Sequence, residues 1–220
     1  MMRAVKVLKW PLLLAAQLYP SLGAGLGALF VRGHQRYVID WDKSYRDGGW
    51  DWLASPQEKP HHYLIAGLVA AWGAKTILDV GCGEGHTLAA LRGIGYDRYL
   101  GIDLSAKAIE TAAARADGRT RFLAADAGRF ETDERFDVII FNEMIYCFEQ
   151  PAEVLVHYEP MLNEGGAYIV SMGLGEFRQA LMTEQIWREL EQGRDVLASV
   201  SLFRPNGPLR TIKALRPRGR

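Results

Sequence analysis

Two cysteines, Cys82 and Cys147, are all that 220 residues contain. They lie far apart and fit no metal-ligand spacing, so a disulfide framework and a cysteine-based metal site are both excluded; no metal is expected, and a reducing, cytoplasmic compartment suits them. Net charge is missing too. Lysine plus arginine and aspartate plus glutamate number 26 each. Such a balance gives no bulk pull toward nucleic acid, and no nucleic-acid partner is indicated. No internal repeat and no low-complexity tract is present, which leaves one sizeable core as the expectation for a chain of this length.

Charge is locally absent as well. After a basic start at Arg3, Lys6 and Lys9, the 22 residues from Trp10 to Val31 carry none. Their length is close to the ~20 apolar residues of a membrane-spanning helix. Pro11, Gln17, Pro20 and Ser21 interrupt the run, however, and Gly23, Gly25 and Gly27 weaken its second half. Residues 1–36 are therefore read as a basic and apolar N-terminal segment, with Arg32, His34 and Arg36 suited to peripheral contact with an anionic membrane surface. A segment packed on the domain, a true span and a signal peptide stay open beside that reading. Residues 37–73 form a second part: an aromatic lid or linker holding Tyr37, Trp41, Tyr45, Trp50 and Trp52, without regular structure. A helix follows it from Lys59-Pro60 to about Trp72, ending at Gly73.

Residues 74–220 have a different rhythm. Short apolar runs at Thr76–Val80, Tyr99–Ile102, Arg121–Ala124, Val138–Phe141 and Ala167–Val170 read as strands, and His86–Arg92, Ala106–Ala116 and Ala152–Leu162 as helices between them. Nearly continuous apolar strands alternating with helices predict a parallel sheet covered on both faces. The tail departs from this pattern. A helix near Glu176–Glu191 is followed by "VLASVSLF", a turn at "RPNGP" and "LRTIKAL", which predict a closing antiparallel hairpin. The fold class is thus α/β: a Rossmann-like, doubly wound sheet, mostly parallel, with a C-terminal antiparallel strand pair.

The first strand runs into "ILDVGCGEGHT", where Gly81, Gly83 and Gly85 alternate and Asp79 ends the apolar run. Glycines after a buried strand let backbone approach a ligand closely. A dinucleotide fingerprint needs a third glycine where His86 stands, which disfavours a dehydrogenase. Asp79 disfavours it further, because a carboxylate there repels a pyrophosphate and attracts a cationic ligand. Asp103 closes the second strand, with two acceptor oxygens for a pair of ribose hydroxyls. Asp126, in "FLAADAGRF", could accept from an adenine amino group. Three acids near successive strand ends suit a ligand with an adenine, a ribose and a positive centre.

The ordered stretches "ILDVGCGEG", "YLGIDLSAKAIETA", "FLAADAGRF", "FDVIIFNEMIYCF" and "LNEGGAYIVSM" resemble the motifs of class I S-adenosylmethionine-dependent methyltransferases, from about Thr76 to Met172. The resemblance implies S-adenosylmethionine as cofactor. By it, Gly81, Cys82, Gly83 and Gly85 line the cofactor, Asp79 lies near its amino-acid moiety, and Asp103 with Leu104 meets the ribose. Asp126 with Ala127 borders the adenine, and Asn142 with Glu143 faces the methionine part and the acceptor. The quinone-biosynthesis O-methyltransferases are similar at "NEMIYCF" but carry a second glutamate and a histidine where Tyr146 and Cys147 stand here, so metal help by such a cluster is not expected.

Methyl transfer from a sulfonium is a direct displacement, and a hydroxyl or ammonium acceptor also needs a base. The candidates are Glu143 and Tyr146 at the strand ends and His62, beside His61, at the start of the helix before the first strand. Both histidines are expected as first-turn surface residues, and the aromatic lid either closes over the sulfonium or packs the linker onto the sheet. The expected activity is methyl transfer to oxygen or nitrogen of a small-molecule or lipid- or glycan-linked acceptor. The competing function is an idle methyltransferase-like module that binds the cofactor and is recruited to a membrane complex.

Overall fold

The computed structural model describes residues 40–173, 177–204 and 207–219. The N-terminal segment 1–36, and with it the expected membrane contact, lies outside the described residues. Among those described, no helix is long and apolar enough to cross a membrane. The chain enters through helix α1 (Trp41–Arg46), a 3-10 turn at Asp51–Ala54 and helix α2 (Lys59–Ala71). The Rossmann-like part continues with β1 (Thr76–Val80), α3 (His86–Leu91), β2 (Arg98–Asp103), α4 (Ala106–Ala113), β3 (Thr120–Ala124), β4 (Phe136–Asn142) and α5 (Pro151–Tyr158). It closes with β5 (Leu162–Gly173), α6 (Phe177–Glu191), β6 (Arg194–Arg204) and β7 (Gly207–Pro217).

The seven strands lie in the order β3-β2-β1-β4-β5-β7-β6. The first five are parallel, and β7 runs antiparallel between β5 and β6. The central strands are mostly apolar because both their faces are covered. Leu78, Val80, Ile139 and Phe141 face a core built with Leu155 and Tyr158 of α5 and Trp187 and Leu190 of α6. The alternate residues Ile77, Val138 and Ile140 face one built with Ile65 and Val69 of α2 and Leu88 and Leu91 of α3. Strand order reverses at β1, whose neighbours are β2 and β4, and the crevice beyond the carboxyl ends there is where such sheets hold ligands.

The sequence reading differs from the structure in two places. Residues 41–54 were expected to be irregular, yet α1 forms: Asp40 caps it by accepting from Lys43 N at 2.8 Å. His61 and His62 are core residues rather than surface ones, 1% and 7% exposed. The reason is tertiary in both cases. The first turn of α2 packs under β7, a partner about 150 positions away in the chain, and local pattern carries no trace of that contact.

Candidate active site

The loop after β1 turns sharply back onto β2. Gly81 N and Cys82 N both donate to Ile102 O, at 2.8 and 3.0 Å. Gly81, Gly83 and Gly85 all take positive φ, at 71°, 52° and 78°, where a side chain is strained. Space forbids one as well: a Cβ on Gly81 would lie 2.9 Å from Met144 Cγ, and one on Gly83 would lie 2.8 Å from the Tyr45 hydroxyl. Cys82 points inward, buried against Gly101.

Asp103 anchors the loop. Its Oδ2 accepts from Gly83 N at 2.8 Å and its Oδ1 from Ser105 N at 2.9 Å. Each carboxylate oxygen has a second acceptor position, so two outward lone pairs remain for a pair of hydroxyls. Burial raises the Asp103 carboxyl above its ordinary value, while the two backbone donors oppose that shift. Leu104, next in the chain, is exposed.

Asp79 is fully buried at the floor of the loop. Its Oδ2 accepts from the Tyr99 hydroxyl at 2.6 Å, and its Oδ1 has no partner. Burial pushes the carboxyl up to about 7, with Asp103 adding in the same direction and the Tyr99 hydrogen bond opposing. Burial thus favours its neutral form, and a cation beside Oδ1 would restore the charge.

Asp126 stands on the loop after β3, exposed, and its Oδ1 accepts from Gly128 N at 2.8 Å. Its neighbour Ala127 is held by Tyr158, whose hydroxyl donates to Ala127 O at 2.8 Å. Beside them a cleft of about 340 Å³ opens between Ala127, Gly128, Phe148, Gln150 and His157. The larger concavity, about 500 Å³, lies at the other end of the sheet among Arg135, Pro160 and Leu162, and has no part in this site.

On the opposite side, around the end of β4, the residues from α2, α3, β4 and β7 meet. His62 Nδ1 lies 3.1 Å from Thr87 Oγ1, and Asn142 Nδ2 lies 3.4 Å from both Thr87 Oγ1 and His61 Nε2. The two imidazoles touch at a tilt of 37°, with centroids 3.9 Å apart. Burial lowers the His62 imidazole to about 4, so it is neutral at pH 7. Its Nε2 and Asn142 Oδ1 are buried without partners.

Glu143 has left-handed backbone, φ 58°. Its Oε1 accepts from Arg210 Nε at 2.8 Å and Ser171 Oγ at 3.0 Å, and its Oε2 from Gly173 N at 3.0 Å. Burial and the nearby Glu143 charge hold the Tyr146 phenol well above its ordinary range. Arg210, 6% exposed, also donates from Nη1 to Glu58 Oε2 at 2.8 Å.

The structure thus brings Asp79, Gly81, Cys82, Gly83, Gly85 and Asp103 into one cradle, and His62, Asn142, Glu143 and Tyr146 into a second cluster beyond the end of β4. Ala127, with the exposed Asp126 before it, borders the cleft beside Phe148 and His157, and Leu104 is exposed. The sequence reading passed over Arg210, Glu58, Thr87, Tyr99 and Asp42. Arg210 sits in "PLRTIKAL", which carries no motif. Thr87 had a usable signal as the second residue of the helix after the loop.

A family model described as "Methyltransferase domain" matches residues 73–200. A 27-O-demethylrifamycin SV methyltransferase of Amycolatopsis mediterranei is 28% identical over 175 residues, which cover 74% of this chain and 63% of that protein. A trans-aconitate 2-methyltransferase of Rhizobium etli is 31% identical over 110 residues, 49% of this chain and 43% of that one. The chain therefore matches less than two thirds of the length of either. In fold, the crystal structure of N-methyltransferase NodS from Bradyrhizobium japonicum WM9, in complex with S-adenosyl-L-homocysteine, superposes with a TM-score of 0.67 at 20% identity, covering 77% of this chain and 91% of that one.

Proposed function

Because the chain belongs to the methyltransferase-domain family, we propose that it is a class I S-adenosylmethionine-dependent methyltransferase acting on an oxygen or nitrogen of a small-molecule acceptor, free or carried on a lipid or glycan. The observation that carries this reading is the cradle: glycine positions that admit no Cβ, closed at one end by Asp103 and floored by the unpartnered Oδ1 of Asp79. That donor and acceptor set fits the cofactor. Asp103 with Leu104 takes the ribose, Asp79 the ammonium of the methionyl part, and Asp126 with Ala127 the adenine. Bound there, S-adenosylmethionine supplies an electrophilic methyl group on a positively charged sulfur.

The remaining work belongs to the chain's own residues. Asn142 and the cluster around it face the acceptor, and the buried walls exclude water. Glu143 is committed to Arg210, Ser171 and Gly173, so we assign it a holding role. Tyr146 keeps its proton at neutral pH and can donate a hydrogen bond, which makes it a wall residue rather than a base. His62, neutral and with one nitrogen unpartnered, is the base. The matched relatives are named as enzymes, which favours transfer over an idle cofactor-binding module.

Isothermal calorimetry with S-adenosylhomocysteine tests the reading. Wild-type protein is expected to bind, and Asp103→Ala, which removes two charge-assisted contacts worth about 1.5–3 kcal/mol each, to bind at least ~100-fold more weakly. No binding by the wild type would sink the proposal.

A further inference from the structure

Arg210 can only donate hydrogen bonds. Its Nη1 lies 2.6 Å from His61 Nδ1, so that nitrogen must present its lone pair. Glu58 Oε2 stands farther from the same nitrogen, at 3.5 Å, and already receives an Arg210 N–H. The proton of His61 therefore sits on Nε2, which faces the Asn142 amide at 3.4 Å. Two N–H groups would oppose each other if Nδ2 stayed there, with Oδ1 buried and unpartnered. A half-turn of the amide removes the conflict. Oδ1 then accepts from His61 Nε2 and from the Thr87 hydroxyl, and the N–H₂ end takes the buried place that Oδ1 held. Thr87 has now given its only proton, so its oxygen accepts from His62 Nδ1 at 3.1 Å. His62 is left with its lone pair on Nε2.

We infer that Arg210 orders a one-way chain of hydrogen bonds through His61, Asn142 and Thr87, which leaves the lone pair of His62 Nε2 as the base for a hydroxyl acceptor. Arg210, His61, Asn142 and Thr87 are positioning residues, and His62 is the one that meets the acceptor. This deepens the methyl-transfer reading and rests on it.

The hydroxyl preference follows from the single lone pair that His62 keeps on its unpartnered Nε2. Burial holds the His62 imidazolium to about 4, so it cannot strip a free alcohol or an ammonium ion. As the oxygen–carbon bond forms and the carbon–sulfur pair returns to sulfur, the hydroxyl proton becomes far more acidic than an imidazolium. The O–H bond then breaks toward Nε2, and the positive charge lost by the sulfonium reappears on His62. A methylated amine is a weaker acid than the imidazolium and would keep its proton. A carboxylate has no proton to give and would set its lone pairs against that of Nε2.

Nitrogen-15 NMR of the full chain labelled in histidine reads the tautomers directly. The expected result is His61 protonated on Nε2 and His62 protonated on Nδ1, with both losing that single-tautomer state in Arg210→Met. His62 carrying its proton on Nε2 in the wild type would overturn the chain, and so would tautomers unchanged in a folded Arg210→Met. The acceptor class is read by incubating wild type with methyl-labelled donor and a cell extract. Label in an alkali-stable methyl ether is expected, whereas label in a methyl ester or an N-methyl group would overturn the hydroxyl assignment. Calorimetry separates the two levels: binding of S-adenosylhomocysteine with the wrong tautomers fails only the chain, while the right tautomers without binding fail only the transfer reading.

Discussion

Asp79 and Asp103 stand at the carboxyl ends of adjacent strands and differ in what they lack. Asp103 has both oxygens engaged by backbone N–H groups, while Asp79 has one oxygen engaged and one bare. With its folded-state value near 7 against 3.8 for a free side chain, Asp79 binds a proton in the folded state that the unfolded chain has released. Its contribution to stability is thus full below pH ~4 and is lost as pH rises toward 7. Asp79→Asn is expected to gain on wild type by roughly 4 kcal/mol across that window, measured by denaturant unfolding at stepped pH. A cationic ligand reverses the sense, since it binds the carboxylate. Affinity for S-adenosylhomocysteine is expected to rise roughly tenfold from pH 6 to pH 8 in wild type and to stay flat in Asp79→Asn; parallel profiles would count against contact with the ammonium. Asp79 and its spacing from the glycines were legible in the sequence, because the chemistry sits within one short loop. The roles around Arg210 were not, since its partners Glu143 and His61 are 67 and 149 positions away.

The central strands and helices were found in their order, with β1 exact and β5 read only at its apolar centre, because burial on both faces writes a continuous apolar run that local pattern can find. Helix α1 left no such mark. With six residues and no buried one it is far too short to stand alone, and its Asp42 holds it in place from outside. Asp42 Oδ1 accepts from Ser105 Oγ at 2.6 Å and Lys107 N at 3.1 Å, at the start of α4. Those donors pull its carboxyl below the ordinary value. Ser105 also donates its backbone N–H to Asp103, so α1 and the acid at the end of β2 share one residue. Asp42→Ala is expected to release Trp41–Ala54, seen as several-fold faster amide exchange there and as altered fluorescence from the stacked Trp41 and Trp50. Unchanged exchange would show that aromatic packing alone retains the lid.

At the scale of the whole molecule, residues 1–36 are proposed to rest on an anionic membrane surface while the sheet and its site stay in the cytoplasm. Flotation with phosphatidylserine vesicles should carry the intact chain upward, and should leave behind a chain lacking residues 1–31; equal behaviour of the two would refute the contact. The order of the sheet has a consequence of its own. β7 threads between β5 and β6, and from it Arg210 reaches back to α2 and to the end of β4. A growing chain can thus complete the glycine loop and Asp103 long before residue 210 has been synthesised. Until then the histidines have nothing to fix which nitrogen bears the proton. On the proposed chain of hydrogen bonds, the order of protons at the site is thus imposed only when the last strand is laid into the sheet.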